Sequence, residues 1–367
     1  MIPAHIIHDH LNKYRQGEIK IGTICSHSAL QIFAGAREEG FKTVGITTKD
    51  RIDTYKAFPH ACPDEFIIVD SYKDVLKADI QNKLLEKNVI LVPHGSFVEY
   101  LGAKNIEENL YVPMIGNRAV LEWESDRKME RTWLGDTAGL SMPKVFSNPK
   151  DIDRLSIVKF DGAKGGSGYF KVANPKQFHE ELKKRKATPE TTTIQEYVVG
   201  VRYYLHYFFS PIGDTGYKCK KGYIELTGID RRDESNIDEL HRLGMTRDEI
   251  IKAGISASYT VTGNTGCVIR ESLLPQVLEI GKKTVDASMD LFSPGMIGPF
   301  CLETIVTPNL DIKVFEVSAR IVAGTNIYTK ESPYTYLFYG KPMSCGRRIA
   351  LEVRSAMKKK KLHEIVG

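Results

Sequence analysis

The sequence predicts a mixed α/β and α+β protein: a small, doubly wound parallel sheet first, then antiparallel hairpins. Three observations predict this. Residues 19–125 alternate short apolar strands with helices, the rhythm of βαβ units. A glycine-rich run, 161–168, lies between two strand-like segments. Residues 298–320 read as two strands rich in aromatic and β-branched residues around Thr307-Pro308-Asn309.

The chain has 367 residues, enough for two or three domains. Its 42% hydrophobic and 26% charged content is that of an ordinary water-soluble protein. The net charge of +5 is diffuse, and four of the positives are the run 358–361, expected as a solvated helix end. This suits anionic small molecules, and no nucleic-acid partner is expected. Six scattered cysteines without metal-knuckle spacing point to reduced, buried thiols. The start lacks the basic region and apolar core of a signal peptide, and no run reaches membrane-spanning length. A cytoplasmic protein without membrane attachment is expected.

In the first part, strands are expected at 19–25, 43–47, 65–70 and 89–92, with helices at 26–39 and 72–87. Ligands bind such sheets at the carboxyl ends of strands. Two ends carry suitable chemistry. Ser26-His27-Ser28 opens a helix, where free N–H groups favour an anion, although both serines also suit helix capping. Pro93-His94-Gly95-Ser96 follows the fourth strand, and its glycine permits close approach. His27 and Ser96 are therefore candidate ligand contacts. No G-x-G-x-x-G is present, so a dinucleotide cofactor is not expected. Residues 117–136 read as a charged connecting helix, with Arg118 either reaching the crevice or exposed.

The run Asp161-Gly162-Ala-Lys-Gly165-Gly166-Ser167-Gly168 sits between strands, so it is a flap rather than a P-loop. Such a flap lays N–H groups over a triphosphate. Lys144 and Lys159 are expected to point at the phosphates from neighbouring strands. The strand 193–196 ends in Glu196-Tyr197-Val198, a hinge able to read adenine through its backbone. The charged segment 230–236 is either a solvated loop or a substrate loop offering Glu234 to a ribose hydroxyl.

The last hairpin carries the metal expectation. With a two-residue tip at Asn309-Leu310, Glu303 faces Glu316 on a buried face, roughly 5 Å apart at Cβ. Two such carboxylates need a shared proton or a cation, and Mg²⁺ is held by one or two carboxylates plus substrate phosphates. Arg320 follows and can reach an anion there.

A strand-borne lysine, a glycine-rich hairpin, an acid-tipped hinge and two acids followed by arginine resemble, in that order, the ATP-grasp ligases. The family signature Glu-x-Asn-Pro-Arg reads here Glu316-Val-Ser318-Ala319-Arg320, with serine and alanine at two positions. Ser26-His27-Ser28, His94-Gly-Ser96-Phe97, the run 229–236, Arg270-Glu-Ser-Leu-Leu-Pro275 and Ser318–Asn326 are similar to the archaeal-type formate-dependent ligases of purine synthesis. The resemblance spans nearly the whole chain. It implies an ATP-grasp fold with a pre-ATP-grasp domain over 1–125, a small lobe over 126–200 and a large lobe over 201–367. It implies the joining of formate to 5-aminoimidazole-4-carboxamide ribonucleotide (AICAR) with ATP, giving the formamido nucleotide, ADP and phosphate. It implies that His27, Ser96 and Asn264 hold AICAR. Lys144, Lys159, the 162–168 loop, Glu196–Val198 and Glu234 would hold ATP; Glu303 and Glu316 would hold Mg²⁺ or Mn²⁺; Arg320 would be catalytic. A homo-oligomer, trimer or hexamer, is implied too. A related ATP-grasp ligase with another acid or amine, or a non-catalytic nucleotide binder, also accommodates these motifs.

Overall fold

The structure is a computed structural model, and it describes residues 2–160, 169–234, 244–255 and 260–367. Among these, three sheets form the frame.

The first sheet contains β1 (Lys20–Ile24), β2 (Lys42–Thr47), β3 (Glu65–Ile68) and β4 (Val89–Leu91), all parallel in the order β3-β2-β1-β4. Apart from Lys20 and Lys42, every residue of β1, β2 and β4 is buried, as a doubly covered parallel sheet demands, while the edge strand β3 leaves Ile68 exposed. The helix Ala29–Glu38 follows β1. The expected helix over 72–87 is broken into a 3₁₀ turn, Tyr72–Leu76, and a helix, Ala78–Glu86. Ser71 and Asp74 close a capping box on the turn, and the Gln81 amide donates to the Leu76 carbonyl across the break. The stretch after β4 is itself a helix, Gly95–Leu101. The connecting segment is also interrupted: the Asp126 carboxylate accepts from the N–H groups of Lys128 and Met129 and starts a new helix there.

The second sheet is small and antiparallel: β5 (Val145–Phe146), β6 (Ser156–Phe160), β7 (Tyr169–Val172) and β8 (Thr192–Glu196), in the order β5-β8-β6-β7. It has its own core, in which Val158, Phe170 and Ile194 meet Phe178 and Leu182 of the helix Pro175–Arg185.

The third sheet contains β9 (Val201–Ser210), β10 (Tyr217–Lys218), β11 (Tyr223–Glu234), β12 (Val261–Gly266), β13 (Gly298–Val306) and β14 (Ile312–Ser318), in the order β10-β11-β9-β13-β14 with β12 on β11. One core cluster runs from Ile24 and Leu91 of the parallel sheet through Trp133 to Tyr207 and Leu302 of this one. The last helix, Cys345–Lys359, returns to pack on Ala29–Glu38. Glycines at 35 and 346 allow that contact, since a Cβ at Gly35 would lie 2.1 Å from the Arg347 nitrogen.

Two expectations for the third sheet change. The charged run after Ile229 continues β11 through Glu234 rather than forming a loop, because each residue pairs with β12. The β13–β14 tip is longer than two residues: Thr307 N–H bonds the Asp311 carbonyl, and Leu310 takes a left-handed φ of 66°. Val306 therefore pairs with Ile312, one residue off the expected register. A bulge at Phe315 absorbs the offset and restores Glu303 opposite Glu316.

Candidate active site

The third sheet presents one rung of side chains across four strands: Glu316 on β14, Glu303 on β13, Tyr204 on β9 and Asp230 on β11. Two residues along β11 stands Arg232, paired in register with Asn264 of β12. Arg232 Nη2 donates to Glu303 Oε1 at 2.5 Å, and its guanidinium lies over the Tyr204 ring, 3.8 Å from the centroid.

The expectation that both acids are buried needs correction. Glu303 is 4% exposed, whereas Glu316 is exposed, because the Phe315 bulge turns that part of β14 outward. Burial, and then the Glu316 charge, push the Glu303 carboxyl up to about 7 against the pull of Arg232.

Two further acids close on the hairpin from the connecting helices. Glu130 accepts from Val317 N–H at 2.6 Å, and Glu124 accepts from Ala319 N–H at 2.7 Å. Burial drives Glu130 up to about 9, with Glu316 the next cause, and raises Glu124. Glu124 also takes Arg320 Nη2 at 3.0 Å. These two acids, Arg232 and Tyr204 escaped the sequence reading. Arg232 had a usable signal, since Asp230, Arg232 and Glu234 recur with a period of two. Glu124 and Glu130 had none, because their partners lie almost two hundred residues away.

The parallel sheet meets this face through His27, Gly95 and Arg320. A Cβ on Gly95 would lie 2.9 Å from His27 Nε2 and 3.6 Å from Arg320 Cζ. His27 stacks on His94 with centroids 5.3 Å apart. Partial enclosure, His94, Arg320 and Arg232, in that order, hold His27 below the usual imidazole range while its outer edge stays exposed. His94 is wholly buried. Its Nε2 donates to the Ile24 carbonyl and its Nδ1 accepts from Ser96 N–H, which defines a neutral tautomer; burial lowers it to about 4. Ser28 does not cap the helix with its side chain; it bonds His27 Nδ1 at 2.8 Å, and Ser26 accepts from the Ser96 hydroxyl at 2.9 Å. Helix capping therefore does not explain these serines.

Asn264 is held by Asp230, whose Oδ2 accepts from Asn264 Nδ2 at 2.7 Å while Oδ1 meets His206 Nε2 at 2.6 Å. Gly324 lies beside the same carboxylate, where a Cβ would stand 2.2 Å from Oδ1. Two residues on, Asn326 donates to the His27 carbonyl. Asp230 thus ties the strand carrying Asn264 to the segment supporting His27.

Lys144 and Lys159 do not lie on neighbouring strands, since β8 separates β5 from β6. Lys144 is exposed and pairs with Asp153 at 3.4 Å. Lys159 donates to Gln195 at 2.9 Å, and burial lowers its pKa. The Glu196 carboxylate binds Lys313 of β14 at 2.8 Å and the Lys144 N–H at 3.1 Å, linking the second and third sheets. Tyr197 N–H is taken by the Leu155 carbonyl, and Val198 is half-buried just beyond β8. Glu234 closes β11, 4.0 Å from Arg202. Gly162, Gly165, Gly166, Ser167 and Gly168 lie outside the described residues. Arg118 neither lines the crevice nor lies on the surface: it is buried, donating to the carbonyls of Leu110 and Val112.

All metal-candidate donors here are carboxylate oxygens. The described residues contain no group of three or more His, Cys, Asp or Glu arranged to hold an ion. The Glu303–Glu316 pair fits a hard cation that takes its remaining ligands from phosphates and water.

Residues 175–367 match the family model described as "Domain of unknown function (DUF1297)", and residues 21–146 the one described as "Protein of unknown function (DUF1246)". The chain is 50% identical, over the full length of both, to the 5-formaminoimidazole-4-carboxamide-1-(beta)-D-ribofuranosyl 5'-monophosphate synthetase of Korarchaeum cryptofilum. It is 52% identical to that of Methanosarcina acetivorans, again over both full lengths. The chain belongs to this synthetase family. Among solved structures, the IMP biosynthesis protein PurP from Thermococcus kodakaraensis is 30% identical, with TM-score 0.72, covering 95% of this chain and 100% of that one. N5-carboxyaminoimidazole synthetase from Staphylococcus aureus is 17% identical with TM-score 0.55, covering 86% and 74%, and shares the ATP-grasp fold of the synthetase family. Among the described residues of this synthetase-family chain, no helix is long and apolar enough to cross a membrane.

Proposed function

We infer that the chain is an ADP-forming ATP-grasp ligase that joins formate to AICAR and yields the formamido nucleotide in purine synthesis. The geometric observation carrying this reading is the Glu303–Glu316 pair, opposed in register within reach of Arg232 and open on the Glu316 side.

Formate is a poor electrophile. Its oxygen attacks the γ-phosphorus of ATP, the bond to the ADP oxygen breaks, and formyl phosphate results. The AICAR amine then attacks the formyl carbon. The C–O bond to phosphate breaks, and the amine's proton leaves with the phosphate. The protein's contribution is alignment and charge neutralisation. Glu303 and Glu316 would hold Mg²⁺ or Mn²⁺, which neutralises phosphate charge when bound. Lys144, Lys159, the 162–168 loop, the Glu196–Val198 hinge and Glu234 would hold ATP. His27, Ser96 and Asn264 would hold AICAR, with His27 kept neutral by its surroundings. Arg320, held against Glu124, would supply fixed positive charge to the transferring phosphoryl group. Closure of the small sheet would exclude water from the acyl phosphate. Its separate core suits such movement.

A cytoplasmic homo-oligomer, trimer or hexamer, completes the reading. The exposed Tyr336, Leu337 and Phe338 offer apolar surface for subunit contact, which light scattering would test.

The deciding experiment is ADP release with ATP, Mg²⁺, formate and AICAR, omitting each in turn. Release that requires all four establishes the reaction. Release with another acid or amine, but not with this pair, overturns the substrates. Binding of ATP without any release overturns the activity.

A further inference from the structure

We propose that Arg232 is the anchor for the formate carboxylate, released to it when a divalent cation takes over Glu303. This rests on the ligase reading above.

Formate has no side chain, so a protein can recognise only its two oxygens and its charge. The matching group is a planar guanidinium, whose paired N–H donors fit a carboxylate edge. Position favours Arg232. Formate must lie where both the γ-phosphate and the substrate amine reach it, between the metal acids and the nucleotide site. Arg232 touches Glu303 at 2.5 Å. It also pairs in register with Asn264.

Availability favours it as well. Arg320 also gives one nitrogen to an acid, Glu124, and its Nε has no partner among the described residues, but its side chain is only 16% exposed; Lys313 is engaged by Glu196. Arg232 has one nitrogen on Glu303, while 28% of its side chain remains exposed. The Tyr204 ring supports the guanidinium plane, so the fork keeps its orientation when its partner changes. A cation at Glu303 competes for the oxygen that Arg232 now holds. Arg232 thus stabilises Glu303 before the metal arrives, and afterwards turns its fork to an anion.

The test uses the full chain with Arg232→Lys, which keeps the charge and loses the fork, and Arg232→Ala. The expected result is a formate KM raised roughly tenfold to hundredfold, the value of a charge-assisted hydrogen bond. KM for ATP and AICAR should stay within about twofold, and added guanidinium ion should restore part of the Arg232→Ala rate. Mn²⁺ affinity in the presence of ADP, read by electron paramagnetic resonance, should be unchanged or tighter, since Glu303 is no longer held. A wild-type protein whose ADP release ignores formate overturns the activity and this assignment with it. A formate-dependent wild type whose Arg232→Lys variant keeps its formate KM, or loses Mn²⁺ affinity, overturns the assignment alone. Should Arg232→Ala fail to fold, Arg232→Lys decides the matter.

Discussion

Glu303 and Glu316 face each other across β13 and β14, yet one is buried against Arg232 and the other opens outward. The pair is asymmetric, and the asymmetry makes different demands on the two substitutions. Glu316→Gln should abolish ADP release and weaken Mn²⁺ binding by more than the roughly 10–100-fold typical of losing a metal's outer-shell partner. Its thermal stability should change little. Glu303→Gln should lose activity equally, but because burial already holds the Glu303 carboxyl up at about 7, the metal-free variant should melt no lower than the wild type and higher towards alkaline pH. Melting curves beside an ADP assay separate the two.

His94 should stay neutral across the physiological range. Its pKa is lowered to about 4, so the unfolded chain binds its proton more readily than the folded one. The stability it contributes is therefore present above the unfolded value of roughly 6.5 and is lost as pH falls towards 4. Imidazole nitrogen NMR should show an Nε2–H tautomer that does not titrate between pH 5 and 8. Titration near 6.5 contradicts the hydrogen-bond assignment.

Glu130 runs the other way. Its carboxyl is raised to about 9, so the folded state keeps a proton that the unfolded state releases near 4.5. The stability of the metal-free protein should therefore fall as pH rises from about 4.5 to 9. Glu130→Gln keeps an acceptor for Val317 N–H and removes the titration. The difference between wild-type and variant melting temperatures should therefore grow in the variant's favour towards alkaline pH.

Asp230→Asn should weaken AICAR binding without affecting ATP. Asp230 holds the Asn264 amide and contacts Gly324, so the variant should raise the AICAR KM several-fold while the ATP KM stays constant. Gly324→Ala should be more severe, since the new Cβ would stand 2.2 Å from Asp230 Oδ1. Steady-state kinetics with each substrate varied gives the answer.

Lys313→Ala should leave stability within about 1 kcal/mol, as expected of a partly solvated ion pair. It also removes a tie between the second and third sheets, so a moderate rise in ATP KM is expected. An unchanged ATP KM means that the tie does not hold the small sheet in place.

What could be read in the chain was local. Strands β1 to β4 announced themselves through short apolar runs between helices, and Glu303 and Glu316 are close enough in sequence for strand period to oppose them. Even there, two features cancelled: the tip is longer than expected, and the Phe315 bulge recovers the register. The helix expected at 72–87 is interrupted, and β11 is extended, because side-chain capping and pairing with β12 override composition. Tertiary structure alone decided that Arg232 meets Glu303, that Glu124 holds Arg320, and that His27, Gly95 and Arg320 converge. The physical reason is that hydrophobic periodicity reports only which side of its own element a residue occupies. Which elements then face each other follows from sheet order and the packing of distant segments, and these opposed charges acquire their partners and shifted pKa values only once that packing removes water from between them.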